Sequence, residues 1–241
     1  MPILGRPMMV YPILAAQASG VVDRVYMTTD CEEIAAIGNQ YGCHCIPRPP
    51  ELCTRQALGE DVYVHAYRVV RHVLEAEGKS IEYLVLLMCN APTVTAGLVH
   101  HGVQVLRSRP DVDSAVSVSA YNMWSPLRAR RKDREGLLQP FVPFEVFGNP
   151  RVLNCDRDSQ GDVWYADMGV SVIRPRNLES LTEGLLPQRW MGKRIYPLEQ
   201  SAGCDVDYEW QIPQVEFWLK INRFTETETP YEISNTSKKS L

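Results

Sequence analysis

Two carboxylates stand two residues apart in the segment Cys204-Asp205-Val206-Asp207. In an extended segment such neighbours project from the same side. A pair of this kind can hold a hard divalent cation, which in turn bridges nucleotide phosphates. The competing reading is a loop whose Asp residues cap the following helix, and the DxD spacing alone does not separate the two. Asp30 is a second candidate, because it ends the β-branched run VVDRVYMTT and ligands in open α/β sheets lie beyond the carboxyl ends of strands. It could equally cap a helix beginning near Glu32, whose first turn is acidic as the helix dipole favours. Asn90 and Thr93 follow the most apolar run of the chain, Ile81–Met88. They could reach a base or ribose, or simply form a turn.

Arg48 and Arg55 bracket a Pro-rich loop, RPPELCTRQALGED, and could hold phosphates through bidentate hydrogen bonds; solvation is the commoner fate of a single Arg. Further along, Arg128, Arg130, Arg131, Lys132 and Arg134 crowd a short stretch. One of them could take a sugar carboxylate, with a solvated turn accounting for the rest. His65, His72, His100 and His101 lie in helical stretches with no matching nucleophile or ligand set, so none is read as catalytic.

These candidates need a scaffold. Pro7 can open a first helix whose apolar face includes Met8, Tyr11, Ile13, Leu14 and Ala18, ended by Gly20. A strand over Val21–Thr29, a helix from Glu32, a short strand at His44–Pro47, and a long helix from about Asp61 to Ala76 follow. Strands are predicted again at Ile81–Met88, Ser114–Ser119, Met168–Ile173 and Arg194–Leu198, with helices ending near Ser108 and spanning Pro213–Asn222. Strand alternating with helix predicts an α/β fold with a mostly parallel, doubly wound sheet. Residues 1–120 and 166–222 read as its core, 121–165 as an inserted arm rich in Arg, Pro and aromatics, and 223–241 as a polar, frayed tail.

The chain has 241 residues, 45% of them hydrophobic, enough for one sizeable core, and its formal net charge of -4 excludes a generally basic surface for nucleic acid. The seven cysteines (31, 43, 45, 53, 89, 155, 204) form no CxxC pair, and an odd count without a signal-like or membrane-length apolar run suggests ordinary thiols in a cytoplasmic protein. Neither GxxxxGK[ST] nor GxGxxG is present, which counts against P-loop NTPases and dinucleotide-dependent dehydrogenases.

Five ordered blocks resemble the acylneuraminate cytidylyltransferase (CMP-sialic acid synthetase) family over roughly residues 2 to 220. GRPMMVYPILAAQ is similar to that family's first helix, and VDRVYMTTDCEEIAAIGNQYG to its strand–STD–helix segment. RPPELCTRQALGEDVYVHA, LVLLMCNAPTV and CDVDYEW stand where the family has RP-x-EL…D-V-x-x-HA, LLQPTSPLR and DID-T-x-x-D. The resemblance implies a Rossmann-like, three-layer nucleotidyltransferase core with a dimerising arm, hence a homodimer. It implies transfer of CMP from CTP to a nine-carbon keto-acid sugar, releasing pyrophosphate with Mg²⁺. By the same analogy Asp205 and Asp207 would hold the metal and carry catalysis. Arg48, Asn90 and Asp30 would lie by the nucleotide, and Arg128 by the sugar.

The sequence also departs from the family. It opens just before the family's P-L-x-G-K-P, so the first strand and the ARGGSK phosphate loop are expected to be missing from it, leaving a strand edge exposed. Met88 stands for a Gln, Val94 for an Arg and Gln211 for the last Asp of the DID block. Alternative readings are therefore a catalytically weak or inactive binding or dimerising subunit, or a nucleotidyltransferase for another sugar.

Overall fold

A computed structural model describes residues 1–154, 156 and 161–231. The chain opens with a two-residue hairpin, β1 (Pro2–Ile3) and β2 (Arg6–Pro7). Pro7 thus lies in a strand, and the first helix, α1 (Val10–Ala18), begins later than its Pro suggested. It stops at Gly20, which takes φ 70°, a left-handed conformation that glycine adopts at little cost. The next elements are β3 (Tyr26–Thr29), α2 (Glu32–Gln40), β4 (His44–Pro47) and α3 (Gly59–Ala76). Then come β5 (Leu84–Leu87), α4 (Ala96–Ser108) and β6 (Ser114–Ala120).

The sequence between them and the next long strand carries the hairpin β7 (Arg130–Lys132) and β8 (Leu138–Pro140), which turns at Asp133–Gly136. Of the basic cluster read from the sequence, Arg130, Arg131 and Lys132 thus lie in β7 and Arg134 in the turn. The core resumes with β9 (Trp164–Ile173), α5 (Arg176–Glu179), β10 (Ile195–Gln200) and α6 (Ile212–Ile221). Among the described residues no helix is long and apolar enough to cross a membrane.

A mostly parallel sheet was expected, and here the fold differs. The central sheet runs β10-β6-β9-β5, with β10 parallel to β6 but β9 antiparallel to both β6 and β5. It is mixed because the long excursion from Tyr121 to Val163 returns the chain at the end of β6 from which it left. β9 must therefore run back alongside its predecessor, as a hairpin does. β3 and β4 pair parallel as a separate two-stranded sheet. Among the described residues β3 and β5 each pair on one side only, so both leave an unpaired edge.

Three layers follow from strand alternation. Val170 and Val172 of β9, Ala115 of β6 and Leu198 of β10 point to one face and pack with Ala15 of α1 and Val99, Val103 and Leu106 of α4. Gly102 makes that approach possible, because a Cβ there would lie 2.6 Å from Val172 Cγ2 and 3.0 Å from Leu198 Cδ1. On the opposite face Val116 and Ile173 meet Tyr67 of α3, Leu178, Trp190 and Met191. A third cluster joins Ile3, Leu4 and Tyr11 to Val206, Val215, Leu219 and Phe224.

Part of the segment expected to fray packs here. The Arg6 guanidinium donates to the Thr225 carbonyl, Phe224 and Thr229 are buried, and Tyr231 Oη accepts from the Ala96 amide at 3.3 Å. The rest of the expected tail, 232–241, and Cys155 lie outside the described residues.

Candidate nucleotide and cation site

The carboxyl ends of β3, β4, β5 and β10 lead into the loops that carry the candidate residues. The loop after β10 is held by backbone and side-chain bonds along its length. Cys204 N donates to Thr93 Oγ1 at 3.2 Å, and Val206 N to the Asn90 carbonyl at 2.9 Å. The apolar Val206 side chain is buried in the cluster beneath, which turns Asp205 and Asp207 the other way, as alternation requires. Gln211 closes the loop. Its Oε1 accepts from the amides of Asp207 and Tyr208, both at 2.8 Å, and its Nε2 donates to the Asp205 carbonyl at 3.0 Å. Where the resembling family has an acid, this chain has a neutral clamp.

The helix-cap alternative for the two carboxylates fails, since the cap residue of α6 is Gln211. Asp205 is half-buried, and its Oδ1 has no hydrogen-bond partner. Burial first, and then the neighbouring charge of Asp207, push its carboxyl above the ordinary range; Asn90 pulls it partly back, while Asp167 adds to the rise. A buried, unpaired carboxylate oxygen beside a second carboxylate is an electrostatic cost. A bound cation removes that cost. The donor set, hard oxygens on adjacent side chains, suits Mg²⁺.

Arg48 sits on the other side of the site. Its backbone amide donates to the Thr29 carbonyl, and His44 N to that of Val25. By alternation the Thr28 carbonyl therefore faces the unpaired edge of β3. Arg48 Nη2 donates to that carbonyl at 2.7 Å, while Nε is buried without a partner. The guanidinium thus blunts an open edge, which leaves it less of its fork for a phosphate. It also acts on the Cys89 thiol, which burial raises, Asp205 raises further and Arg48 lowers. Cys89 thereby ties the Arg48 side to the Asp205 side.

Asp30 is exposed and does not cap α2, whose cap residue is Cys31. Its carboxylate lies by the Cys53 thiol, which is raised by desolvation and then by that carboxylate. Arg128 is exposed at the end of a 3-10 turn at Pro126–Arg128. Arg55 is exposed. Val94 is 1% exposed and fills the space against Gly169, and Met88 Sδ lies 3.4 Å from the Tyr63 hydroxyl. Val94 thus makes an apolar contact, while Met88 accepts a hydrogen bond from Tyr63 through its sulfur. Thr93 is buried and bonds the loop backbone rather than facing outwards.

Asp167 was not singled out from the sequence. It belongs to a break in β9, where Ser117 alone of β6 stands opposite Asp167–Val170, between the pairs Val116–Ser171 and Val118–Ala166. Met168 accommodates the extra residues with φ 57°, a left-handed conformation rare outside glycine. The bulge aims the Asp167 carboxylate at β6 and β10, where it accepts from Ser117, from Ser119 at 2.8 Å and from Gln200 Nε2 at 2.9 and 3.0 Å. An acidic residue inside an otherwise apolar strand, followed by Met-Gly, was the available signal.

Comparison with known proteins adds three findings. The family model for cytidylyltransferases matches residues 1–64. N-acylneuraminate cytidylyltransferase of Escherichia coli O18:K1:H7 (strain RS218 / NMEC) is 34% identical over 67 residues, which make up 28% of this chain and only 16% of that protein. A solved structure of CMP:2-keto-3-deoxy-manno-octonic acid synthetase complexed with CTP superposes with a TM-score of 0.63 at 17% identity, covering 92% of this chain and 90% of that one. At that identity the likeness is one of fold. Over its first 64 residues the chain is thus similar in sequence to the cytidylyltransferases, the family that the ordered blocks resemble, and over most of its length it shares the fold of a CMP-sugar synthetase.

Proposed function

We propose that this protein is a cytidylyltransferase that couples CTP to an acidic keto sugar of the sialic-acid type, releasing pyrophosphate. The observation that carries this reading is the Asp205–Asp207 pair, with an unpaired buried oxygen, on a loop clamped at the carboxyl edge of the sheet. Asp205 and Asp207 would hold Mg²⁺, which when bound would neutralise charge on the triphosphate. Gln211, Thr93 and Asn90 keep the two carboxylates in one geometry before the substrate arrives, so little reorganisation is needed during reaction. The Asn90 side chain bonds Asp205 and would read the base or ribose, and Asp30, beside the Cys53 thiol, would lie by the nucleotide. In the reaction the sugar's anomeric hydroxyl forms the new bond to the α-phosphorus as pyrophosphate leaves. Arg128 and its neighbours would meet the sugar carboxylate.

Exposed apolar side chains in the 121–165 stretch, among them Trp124, Leu138, Phe141 and Val146, support pairing of two copies through it. A sedimentation measurement checks this.

A second reading, a catalytically weak relative, is favoured by the commitment of Arg48 to the Thr28 carbonyl, by the burial of Val94 and by the engagement of Met88 with the Tyr63 hydroxyl. Pyrophosphate release with CTP, Mg²⁺ and a panel of eight- and nine-carbon keto-acid sugars separates the two. Release from one sugar identifies the acceptor, and Asp207→Ala should then abolish it. No release from any sugar sinks the enzyme reading in favour of the second.

A further inference from the structure

Asp167 accepts from four donors, namely the hydroxyls of Ser117 and Ser119, the Gln200 amide and the Gly169 amide at 3.2 Å. Its two oxygens are thus engaged, in contrast to Asp205 Oδ1, which has no partner. A carboxylate so saturated is poorly placed to ligate a cation, yet it stands directly beneath the loop that carries the candidate ligands. Gly203 packs on it so tightly that a Cβ there would lie 1.9 Å from Asp167 Oδ2 and 2.7 Å from Gln200 Nε2. Ser119 Oγ donates to Asp167 and accepts from Gly203 N at 2.9 Å. Tyr121 Oη donates to the Gly203 carbonyl at 2.7 Å. Both backbone groups of Gly203, two residues before Asp205, are therefore fixed by side chains of β6 and its extension, and Ser119, which holds the amide, is itself held by Asp167.

We propose that Asp167 is the positioning residue of the Asp205–Asp207 pair. It acts through Ser119 and Gly203 on the loop backbone and never touches the cation itself. The bulge at Met168 has a function on this view: it lifts Asp167 out of the strand repeat and sets it under Gly203. The proposal rests on the cation reading for its consequence, and on the hydrogen bonds alone for its geometry.

The test uses the full chain with Mn²⁺ alone as the probe, read by water-proton relaxation, together with amide hydrogen exchange. Asp167→Asn should weaken Mn²⁺ binding about 10-fold, the lower range for loss of an outer-shell partner, and Asp167→Ala should weaken it more. In both, exchange at the Gly203, Cys204 and Val206 amides should accelerate about 10-fold. Gly203→Ala attacks the same contact from the other side and should reproduce the effect even if the Asp167 variants fold poorly. Ser171→Ala, buried on the same strand, should leave both readouts unchanged. Unchanged exchange at those three amides in Asp167→Asn and Gly203→Ala overturns the proposal, whatever the cation does. A wild-type chain that binds no Mn²⁺ overturns the cation reading instead, and the exchange result then decides the positioning role by itself.

Discussion

Replacing Asp205 by Asn should make the protein more stable without cation and less stable with it. In the cation-free chain Asp205 is half-buried, its Oδ1 lacks a partner, and Asp207 and Asp167 press negative charge on it. A buried polar group left unsatisfied costs about 1–3 kcal/mol. Partial exposure puts Asp205 at the lower end, about 1 kcal/mol. Asn keeps the shape, removes the charge and offers Asp207 a donor. The gain corresponds to about 2–4 °C in melting temperature for a chain of this size. With cation the order inverts. A ligand at one hundred times its dissociation constant stabilises the native state by about 2.7 kcal/mol, and only the wild type should receive it. Urea unfolding of both proteins, in EDTA and in saturating Mg²⁺, gives the four stabilities required. A variant that is destabilised in EDTA, or that still gains stability from Mg²⁺, would refute the assignment of Asp205 as an unpaired cation ligand.

Two further outcomes follow from the scaffold. Leu198→Ala removes a fully buried side chain that packs under Gly102 beside Val172. It should cost about 2–5 kcal/mol in urea unfolding, and a loss below 1 kcal/mol would mean that α4 does not close on the sheet as described. Glu77 is held down to about 2 by its bidentate pair with Arg24, and next by Lys79. A carboxyl lowered on folding contributes stability above its unfolded value that disappears as pH falls through the folded one. Arg24→Ala should therefore lower stability at pH 7 and flatten its loss between pH 4.5 and 2, the two proteins converging near pH 2, and parallel pH–stability curves for the two proteins would remove the pair from the acid limb.

Much of the order of elements was legible in the sequence. Apolar runs rich in β-branched residues sit where β3, β5, β6 and β9 form, and the 3.6-residue pattern locates α3, α4 and α6. Their ends were less so: Pro7 lies in a strand, and β5 is confined to Leu84–Leu87 within a longer apolar run. The Asp205–Asp207 pair was visible because its signal is local spacing. Asp167 was not, because its partners Ser117, Ser119 and Gln200 are brought to it by strand pairing and by the end of β10. Arg48 was legible as a cation near the rim, but its bond to the Thr28 carbonyl depends on which edge of β3 is unpaired.

What the sequence determined by itself was therefore local: which segments fold as helix or strand, which carboxylates share a side, and which family the ordered blocks resemble. These depend on periodicity and spacing within a few residues of chain. The tertiary structure alone decided the direction of β9, the bulge at Met168, the open edges of β3 and β5, and the unpaired oxygen of Asp205. Each of those depends on which distant backbone or side-chain groups meet, and hydrogen-bond satisfaction is a property of the assembled neighbours rather than of the residue that seeks a partner.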